Sequence, residues 1–318
     1  VVTGASRGIG RGIALGLGEA RWKVYVTGRS LDKAKCTEPE VGGNLADLKE
    51  QIESKGGTCI PVSVDHQDDA AVASLFEQVA AENDGALDLL VNNAFSGVTG
   101  LSCDPFGKFW EQGEEMWDAC AGVGLRSHYV ASCKAVPLLR KSQGTPLIVN
   151  VSSFGGLSYT FNVAYGVAKA GVDRLSKDCA QELKELGIST LSLWPGVVGT
   201  ERMEEVLGSG TFAENTGMDV PPDFVESPLL VGRVVASLAG ETREERLKRS
   251  GEVEVVAEVA QNKGITDEFG KPPPPSIRSL KFIFPVVLAP KLKMAQETLA
   301  KVPDVKIPFF VMAGGSPE

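Results

Sequence analysis

Short apolar runs alternate with longer amphipathic stretches from the first residue to about residue 256. Runs that are apolar at nearly every position are typical of strands buried on both faces of a parallel sheet. The pattern predicts seven strands, at residues 1–3, 23–27, 58–64, 87–92, 147–151, 189–194 and 252–256. It predicts helices between them, at residues 8–20, 44–54, 68–82, 114–141, 163–186 and 224–238. This alternation predicts an α/β fold built on a doubly wound parallel sheet.

Three stretches interrupt the alternation. They are a polar segment at 32–43, a loop with Gly and aromatic residues at 95–113, and a segment rich in Gly, Met and Phe at 201–222. The second and third follow predicted strands, and ligands of doubly wound folds bind beyond the carboxyl ends of the strands. These two are candidate walls of a substrate site, with an ordinary surface loop as the alternative.

A glycine-rich turn, TGASRGIG at residues 3–10, joins the first predicted strand to the first predicted helix. Gly4 permits a tight turn, Gly8 lets the backbone approach a pyrophosphate, and Gly10 lets the helix lie close to the sheet. The N-terminus of that helix presents free N–H groups to the phosphates. The pattern favours a Rossmann-like dinucleotide site, and a plain tight turn is the alternative.

Arg29 follows the second predicted strand, where an NAD site carries an acidic residue for the ribose 2′-hydroxyl. A guanidinium there binds a 2′-phosphate, which a carboxylate would repel. Arg7 adds a second positive charge nearby. The sequence therefore favours NADP(H) over NAD(H), unless Arg29 is a solvated loop charge.

The composition of the chain excludes several function classes. Hydrophobic residues make up 43% of the 318 residues and charged residues 23%, which excludes disorder throughout. The net charge of −9 argues against nucleic acid as a partner. The two histidines and six scattered cysteines form no C-x-x-C pair and no H-E-x-x-H helix, which argues against a metal or redox site. Isolated cysteines favour reduced thiols in the cytoplasm.

An ordered set of motifs over about residues 1–260 resembles the short-chain dehydrogenase/reductase (SDR) family. The matching segments are TGASRGIG at 3–10, Asp65, NNA at 92–94, SS at 152–153, Tyr165 with Lys169, and PGVVGT at 195–200. Phe95 departs from the family pattern, which has Gly after NNA.

The resemblance implies an NADP(H)-dependent carbonyl reductase or alcohol dehydrogenase that moves hydride between a nicotinamide and a ketone, aldehyde or secondary alcohol. Tyr165 is the implied acid/base, and Lys169, on the same helical face, favours its phenolate and holds the nicotinamide ribose. A serine hydroxyl is the implied donor to the substrate oxygen. The implied cofactor-binding residues are Gly4, Ser6, Arg7, Gly8, Ile9, Gly10, Arg29, Asp65, Asn92, Asn93, Ala94, Tyr165, Lys169, Pro195, Gly196, Val198 and Thr200.

Two adjacent serines compete for the catalytic role. The usual family spacing from Tyr165 selects Ser152, whereas the end of the strand, with Gly156 three residues later, selects Ser153. Side chains of adjacent strand residues point to opposite faces, so both cannot donate to one oxygen. We expect Ser153 to act, with Ser152 as the alternative.

A second departure lies in the helix after the fourth strand. Many family members carry Asn in a W-D-x-x-x-x-V-N-L pattern, where it helps to hold a water that links the lysine to solvent. Residues 117–125 read WDACAGVGL, so Gly124 stands at the Asn position. We interpret the change as subgroup variation, with water bound to freed backbone carbonyls in that space. The alternative is a catalytically silent NADP(H)-binding regulator or membrane-associated protein.

Several aromatic residues are candidates for an apolar substrate pocket: Phe95, Phe154, Tyr159 and Phe161, together with the 201–222 segment. Such a pocket would suit a bulky substrate, such as a steroid, lipid or xenobiotic carbonyl. The alternative is that these side chains belong to the core.

Residues 261–318 are predicted to form a C-terminal extension to a catalytic domain at 1–260. Between residues 271 and 306, seven basic residues accompany two acidic ones. We expect the extension to pack on the enzyme or on a partner subunit. Peripheral contact with an anionic membrane, such as the endoplasmic reticulum surface, is the alternative.

No apolar run approaches the ~20 residues of a membrane-spanning helix, so we expect a cytoplasmic protein or a peripheral one on an intracellular membrane. The chain opens with VVT, as if inside the first strand, and we expect a short segment to precede it, which a targeting signal could occupy. The family resemblance also implies a homodimer or homotetramer, formed through the long helices around residues 124 and 165.

Overall fold

The central sheet is parallel and runs through the whole molecule. In a computed structural model, residues 1–31, 43–97, 107–216, 218–292 and 301–314 are described. The strands are β1 (Lys23–Gly28), β2 (Thr58–Ser63), β3 (Leu89–Asn92), β4 (Leu147–Val151), β5 (Ser189–Trp194), β6 (Val197–Val198), β7 (Val225–Glu226) and β8 (Val253–Val255). Strand β2 pairs with β1, and β3, β4, β5 and β8 follow one another in parallel register. Val2 bridges Val26 of β1 and Val91 of β3, which joins the two halves.

The helices cover both faces of this sheet. They are α1 (Gly8–Glu19), α2 (Leu45–Ser54), α3 (Asp69–Glu82), α4 (Gly113–Trp117), α5 (Ser127–Leu139), α6 (Val163–Leu183), α7 (Glu201–Gly208), α8 (Thr211–Thr216), α9 (Pro228–Ala239), α10 (Arg243–Lys248), α11 (Val256–Lys263), α12 (Leu280–Ile283), α13 (Ala289–Leu292) and α14 (Phe309–Gly314). One apolar core holds side chains of α1, α2, α9 and α11, and the other holds those of α3, α5 and α6. The α/β doubly wound prediction is confirmed.

Two predicted elements differ from the structure at their ends. Residues 1–3 contribute the two bridges of Val2, to Val26 and Val91, rather than a full strand. Residues 224–238 begin as β7, and helix α9 starts only at Pro228, where the Ser227 hydroxyl accepts a hydrogen bond from the Leu230 N–H over 3.0 Å. The short strands β6 and β7 pair with each other, and two residues are too few to give a periodic pattern.

The helix predicted at 114–141 is interrupted. Between α4 and α5 the backbone widens into a π-helical segment, Asp118–Arg126. Val123 departs from helical geometry, with φ −104° and ψ 29°. Such π segments frequently occur at functional sites, and this one lies beside α6.

Helices α1 and α9 touch through their backbones. A Cβ on Gly12 would overlap the carbonyl oxygen of Pro228, and one on Gly16 would overlap the backbone of Gly232. Glycine at these positions lets α1 lie against α9. The first turn of α1 follows the glycine-rich turn, so this contact positions the candidate phosphate site.

The described part of the C-terminal extension packs on the sheet edge. The Phe309 ring lies edge-on to Trp194 of β5, 5.4 Å between centroids. Arg278 binds Glu258 of α11 through two hydrogen bonds, of 2.6 and 2.9 Å, and its guanidinium lies 4.0 Å from the centre of the Phe309 ring. The described part of the extension thus contacts β5 and α11, while a division of the chain at residue 260 stays a prediction.

Some expectations fall outside the described residues, namely those on 32–42, on 98–106, on residue 217 and on two parts of the extension, 293–300 and 315–318. Within the described residues, no helix has the length and apolar character needed to cross a membrane.

Candidate active site

A cavity of about 360 Å³ opens at the carboxyl ends of the strands. It is lined by most of the residues predicted as a site: Gly4, Ser6, Arg7, Gly8, Ile9, Gly10, Arg29, Asp65, Asn93, Ala94, Ser152, Tyr165, Lys169 and Thr200. The remaining predicted residues, Asn92, Ser153, Pro195, Gly196 and Val198, are not part of this lining. The sequence motifs, which lie far apart along the chain, therefore meet in one place.

Asn92 forms hydrogen bonds inside the fold and does not line the cavity. Its side-chain amide donates to the Asn150 side-chain oxygen over 2.8 Å and to the Ser132 hydroxyl over 3.0 Å. All three side chains are buried. Asn92 thus belongs to a polar network inside the fold, although its neighbours Asn93 and Ala94 line the cavity.

The glycine-rich turn has the shape that its sequence predicts. Gly4 and Gly8 have φ values of +65° and +56°, in the region that side chains rarely adopt. A Cβ on Gly4 would lie 2.7 Å from the Ala94 backbone. The Asn93 amide donates to the carbonyl oxygens of Thr3 and Gly4 over 3.0 and 2.9 Å, which fixes the turn. This cradle of backbone, which side chains would fill, fits a dinucleotide pyrophosphate.

The cavity wall on the far side of this turn comes from the segment after β6. Thr200 caps α7 by accepting a hydrogen bond from the Met203 N–H over 3.3 Å. Glu201 then reaches the N-terminus of α1 and accepts from the Gly8 N–H over 3.1 Å. Met203 and Val206 also line the cavity. The sequence singled out the 201–222 segment as a wall but not the contact of Glu201 with the glycine-rich turn.

Arg29, which follows β1, and Asp65, which follows β2, also line the cavity. Arg29 is exposed and lines the cavity, and the Asp65 carboxylate accepts from the Gln67 N–H over 3.0 Å. The neighbouring His66 is buried against the Thr27 hydroxyl, 2.7 Å from its Nε2, and burial lowers its pKa to about 4. His66 therefore contributes no positive charge at neutral pH.

Tyr165 and Lys169 lie one turn apart on α6, as their spacing predicts. Asn162 caps this helix by accepting from the Tyr165 N–H over 2.9 Å. The Lys169 ammonium donates to the Val151 carbonyl oxygen over 3.1 Å. Tyr165 is 9% exposed and Lys169 6%, so both polar groups are shielded from water.

Burial dominates the acidity of this pair. It raises the pKa of Tyr165 to about 12, while a hydrogen bond with Ser153 acts in the lowering direction. Burial also lowers the pKa of Lys169 to about 8. The structure does not give the lowering of the Tyr165 pKa that we expected from the Lys169 charge. The pKa is raised instead, because the phenolate would have to form away from water.

The two candidate serines point in different directions, as strand alternation predicts. The buried Ser152 hydroxyl donates to the Lys169 carbonyl oxygen over 3.1 Å. The Ser153 hydroxyl accepts from the Gly155 N–H over 3.0 Å and lies close enough to the Tyr165 side chain to act on its pKa. This proximity to the phenol favours Ser153 as the donor beside the reacting oxygen.

Asp173 is a half-buried carboxylate that the sequence analysis missed. It lies one turn beyond Lys169 on α6 and accepts hydrogen bonds from the Ser192 hydroxyl and from the Trp194 indole N–H, the latter over 3.0 Å. Its charge acts to raise the pKa of Lys169, against the effect of burial. The helical spacing of Tyr165, Lys169 and Asp173 is the signal that would have found it.

Of the aromatic residues proposed as a pocket, two surround Tyr165. The rings of Phe95 and Phe161 meet it edge-on, with centroids 6.0 and 5.2 Å away, and both line the cavity. Phe154 packs instead on Trp194, and Tyr159 is 71% exposed. Half of the proposed set therefore lines the cavity.

Comparison with known proteins finds a matching family model and similar relatives. The family model described as short chain dehydrogenase matches residues 1–208. The chain is 44% identical to the mouse (Mus musculus) protein dehydrogenase/reductase SDR family member 1 over 86% of its own length and 83% of that protein. The human (Homo sapiens) protein of the same name is 42% identical over the same shares.

Two solved structures resemble the model across most of the chain. A 3-oxoacyl-[acyl-carrier protein] reductase from Brucella melitensis in complex with NAD matches with a TM-score of 0.65 and 25% identity, covering 80% of this chain and 93% of that one. A metagenomic short-chain oxidoreductase in complex with NADP matches with a TM-score of 0.59, the same identity and the same coverage. The neighbours thus include one complex with each nicotinamide cofactor.

Proposed function

The chain belongs to the short-chain dehydrogenase/reductase family and is an NAD(P)-dependent dehydrogenase or reductase, and we propose that it acts as an NADP(H)-dependent carbonyl reductase or alcohol dehydrogenase. The observation that carries the proposal is that Tyr165 and Lys169, one helical turn apart, line the same cavity as the glycine-rich turn. A ketone, an aldehyde or a secondary alcohol is the proposed substrate.

The bound nicotinamide would supply or accept the hydride. The residues of the chain then handle the oxygen and its proton. The Tyr165 hydroxyl gives its proton to the carbonyl oxygen as the alcohol forms, and takes it back in the reverse direction. Ser153 donates a hydrogen bond to the same oxygen and stabilises the charge that develops there. The positive charge of Lys169 favours the phenolate that Tyr165 leaves behind.

Arg29 supports NADP(H) as the preferred cofactor. It stands beyond β1, lines the cavity and carries a charge suited to a 2′-phosphate. We expect Arg29→Met to raise the KM for NADPH at least tenfold and to leave that for NADH nearly unchanged, because only NADPH carries the phosphate. Arg174→Met, at a site that is 75% exposed, is the matched control. Equal loss with both cofactors would contradict the assignment.

The apolar walls support a bulky substrate such as a steroid, lipid or xenobiotic carbonyl. Phe95 and Phe161, which contact Tyr165, line the cavity together with Met203 and Val206. A bulky apolar group would exclude water from the reacting oxygen, which strengthens the hydrogen bonds made to it. We therefore expect kcat/KM to rise with the apolar bulk of the ketone.

A homodimer or homotetramer is the proposed assembly. Exposed apolar side chains on the long helices, Tyr129 on α5 and Val167 on α6, support it, and light scattering after size-exclusion chromatography tests it. A cytoplasmic location, or a peripheral one at a membrane through the basic extension, stays a prediction.

The test of the proposed reaction is NADPH oxidation with a panel of bulky ketones, aldehydes and quinones. We expect Tyr165→Phe to lower kcat by about 10²–10⁴-fold, because the proton donor is lost, and Tyr159→Phe, at an exposed position, to retain activity. Ser153→Ala should lose more activity than Ser152→Ala. Tight NADPH binding without turnover across the panel would favour a regulator, and full activity in Tyr165→Phe would overturn the mechanism.

A further inference from the structure

The Phe95 ring fills the space beside Gly124. A Cβ on Gly124 would lie 2.8 Å from Cδ2 of Phe95 and 3.1 Å from Cε2. The ring therefore occupies the volume that any side chain at position 124 would need. Phe95 and Gly124, which the sequence presents as two separate departures from the family pattern, form one packed pair.

The same ring faces the Lys169 ammonium. The distance from Nζ to the ring centroid is 4.9 Å, within the range of a cation–π contact. Lys169 is 6% exposed, so little water competes for its charge, and such contacts are strongest where water is excluded. The ring also lies edge-on to Tyr165, so it touches both members of the pair.

The segment that carries Phe95 is fastened to the π-helical segment. The hydroxyl of the next residue, Ser96, donates to the Ala119 carbonyl oxygen over 2.8 Å. Ala119 and Gly124 both belong to Asp118–Arg126. The π-helical segment thus supplies the carbonyl oxygen of Ala119, which accepts from Ser96, and the side-chain-free position at Gly124, beside which the Phe95 ring packs.

We propose that Phe95 is a positioning residue of the proton-transfer site: its ring face, seated against Gly124, holds the Lys169 ammonium beside Tyr165. The proposal rests on the proposed function for its catalytic meaning, although the contact itself is independent of turnover. In this chain the Phe95 ring contacts the Lys169 ammonium, whereas an Asn at position 124 would help to hold a water beside it.

Other groups also act on the Lys169 charge. Asp173 on the same helix and Cys120 on the π-helical segment act to raise the pKa of Lys169, while burial lowers it to about 8. His128 on α5 is buried, with a pKa lowered to about 3, and is neutral near pH 7. The negative potential of the Phe95 ring face stabilises the charged ammonium. We therefore expect the Lys169 pKa to fall further when that potential is removed and the other groups stay in place.

Titration of Lys169 measures this contact without any substrate. Lysine labelled with carbon-13 at its ε-carbon reports protonation by NMR, and Lys169→Arg assigns the signal. Nonsense suppression can place pentafluorophenylalanine at position 95, which keeps a ring there and removes the negative potential of its face. We expect the Lys169 midpoint to fall by roughly half a pH unit or more, and Phe95→Tyr to keep it.

Two glycines in the π-helical segment provide a matched pair. Gly124→Ala must displace the ring, whereas a Cβ on Gly122 meets nothing within 4 Å among the described residues. We expect Gly124→Ala to move the Lys169 midpoint and to lower kcat at least tenfold with little change in the KM for NADPH. Gly122→Ala should change neither. Gly124→Asn should be as damaging as Gly124→Ala, and the added change Phe95→Gly should restore part of the loss by making room.

The outcomes separate the proposal from the proposed function. A Lys169 midpoint that shifts with the fluorinated ring and in Gly124→Ala supports the contact, even if no carbonyl substrate is turned over. An unchanged midpoint with the fluorinated ring would overturn the proposal, even if Tyr165→Phe abolishes activity. Equal effects of Gly122→Ala and Gly124→Ala would also overturn it, because they would reflect the helix rather than the ring.

Discussion

The carboxylate of Glu201 accepts a hydrogen bond from the backbone N–H of Gly8 over 3.1 Å, at the first turn of α1. Free N–H groups at a helix N-terminus attract negative charge, and the same groups are the expected site of a nucleotide phosphate. Glu201 therefore stands where a phosphate oxygen would make its contact. A cofactor phosphate and the Glu201 carboxylate would therefore compete for the Gly8 N–H.

We expect Glu201→Gln to bind NADPH about two- to fivefold more tightly, because a neutral amide competes less well for the Gly8 N–H. Quenching of protein fluorescence by NADPH measures the affinity. Glu204→Gln, three residues further along α7 at an exposed position, removes the same charge and should leave the affinity unchanged. Weaker binding in Glu201→Gln would mean that the carboxylate helps to hold the cofactor.

The backbone contact between α1 and α9 predicts a loss of stability on adding one methyl group. Gly12→Ala would place a Cβ against the Pro228 carbonyl oxygen, and the helices must separate to admit it. We expect the free energy of unfolding to fall by about 1–3 kcal/mol, measured by chemical denaturation. Gly208→Ala, with open space around its Cβ, should change it by about 0.5 kcal/mol or less. Equal stability of both variants would mean that the helices yield without cost.

Glu226 predicts a pH dependence of stability. Burial raises its pKa from 4.5 to about 8, and its Oε2 has no hydrogen-bond partner within the described residues. Between these values the folded state binds the proton and the unfolded state does not. The stabilisation is therefore complete below about pH 4.5 and is lost as pH rises through 8.

We expect Glu226→Gln to remove this contribution, which amounts to at most about 1.4 kcal/mol for each pH unit. Denaturation at a series of pH values gives the slope for the parent and the variant. Glu77→Gln, at an exposed position on α3, should keep the parental slope. If Glu226→Gln has the parental slope too, the carboxyl is ionised in the folded protein.

The ion pair of Arg278 with Glu258 predicts how firmly the extension is attached. Both side chains are about 15% exposed or less, and removal of Arg278 leaves Glu258 with only the Ser276 hydroxyl, at 2.6 Å, and the Lys306 ammonium, at 3.8 Å. We expect Arg278→Ala to lower the free energy of unfolding by about 2–3 kcal/mol and to speed proteolysis between residues 264 and 278. Arg174→Ala removes a surface ion pair and should have little effect. Unchanged proteolysis would place the attachment in the apolar contacts of Phe309 instead.

The features that the sequence predicted are those encoded by near neighbours. The spacing of Gly4, Gly8 and Gly10 specifies a turn at the start of a helix, and the spacing of Tyr165 and Lys169 specifies one helical face. Continuous apolar runs were enough to predict where the main strands lie along the chain. Each of these depends on backbone geometry that a local pattern reports.

The features that it did not predict depend on contacts between distant segments. Phe95 and Gly124 are explained only by each other, and the meeting of Glu201 with Gly8 joins two loops that follow different strands. The nine residues of the π-helical segment around Val123 are too few for their hydrophobic pattern to distinguish it from an α-helix, so the sequence did not predict the interruption. Such pairings require the three-dimensional arrangement.

The small pair of strands β6 and β7 joins both ends of the segment that walls the cavity. Val197 pairs with Val225 and Val198 with Glu226, so the two ends of the segment lie side by side. A loop whose two ends are fixed side by side can be exchanged for a longer or shorter one without disturbing the strands behind it. The length of this cavity wall can therefore change while α6, with Tyr165 and Lys169, and the glycine-rich turn keep their geometry.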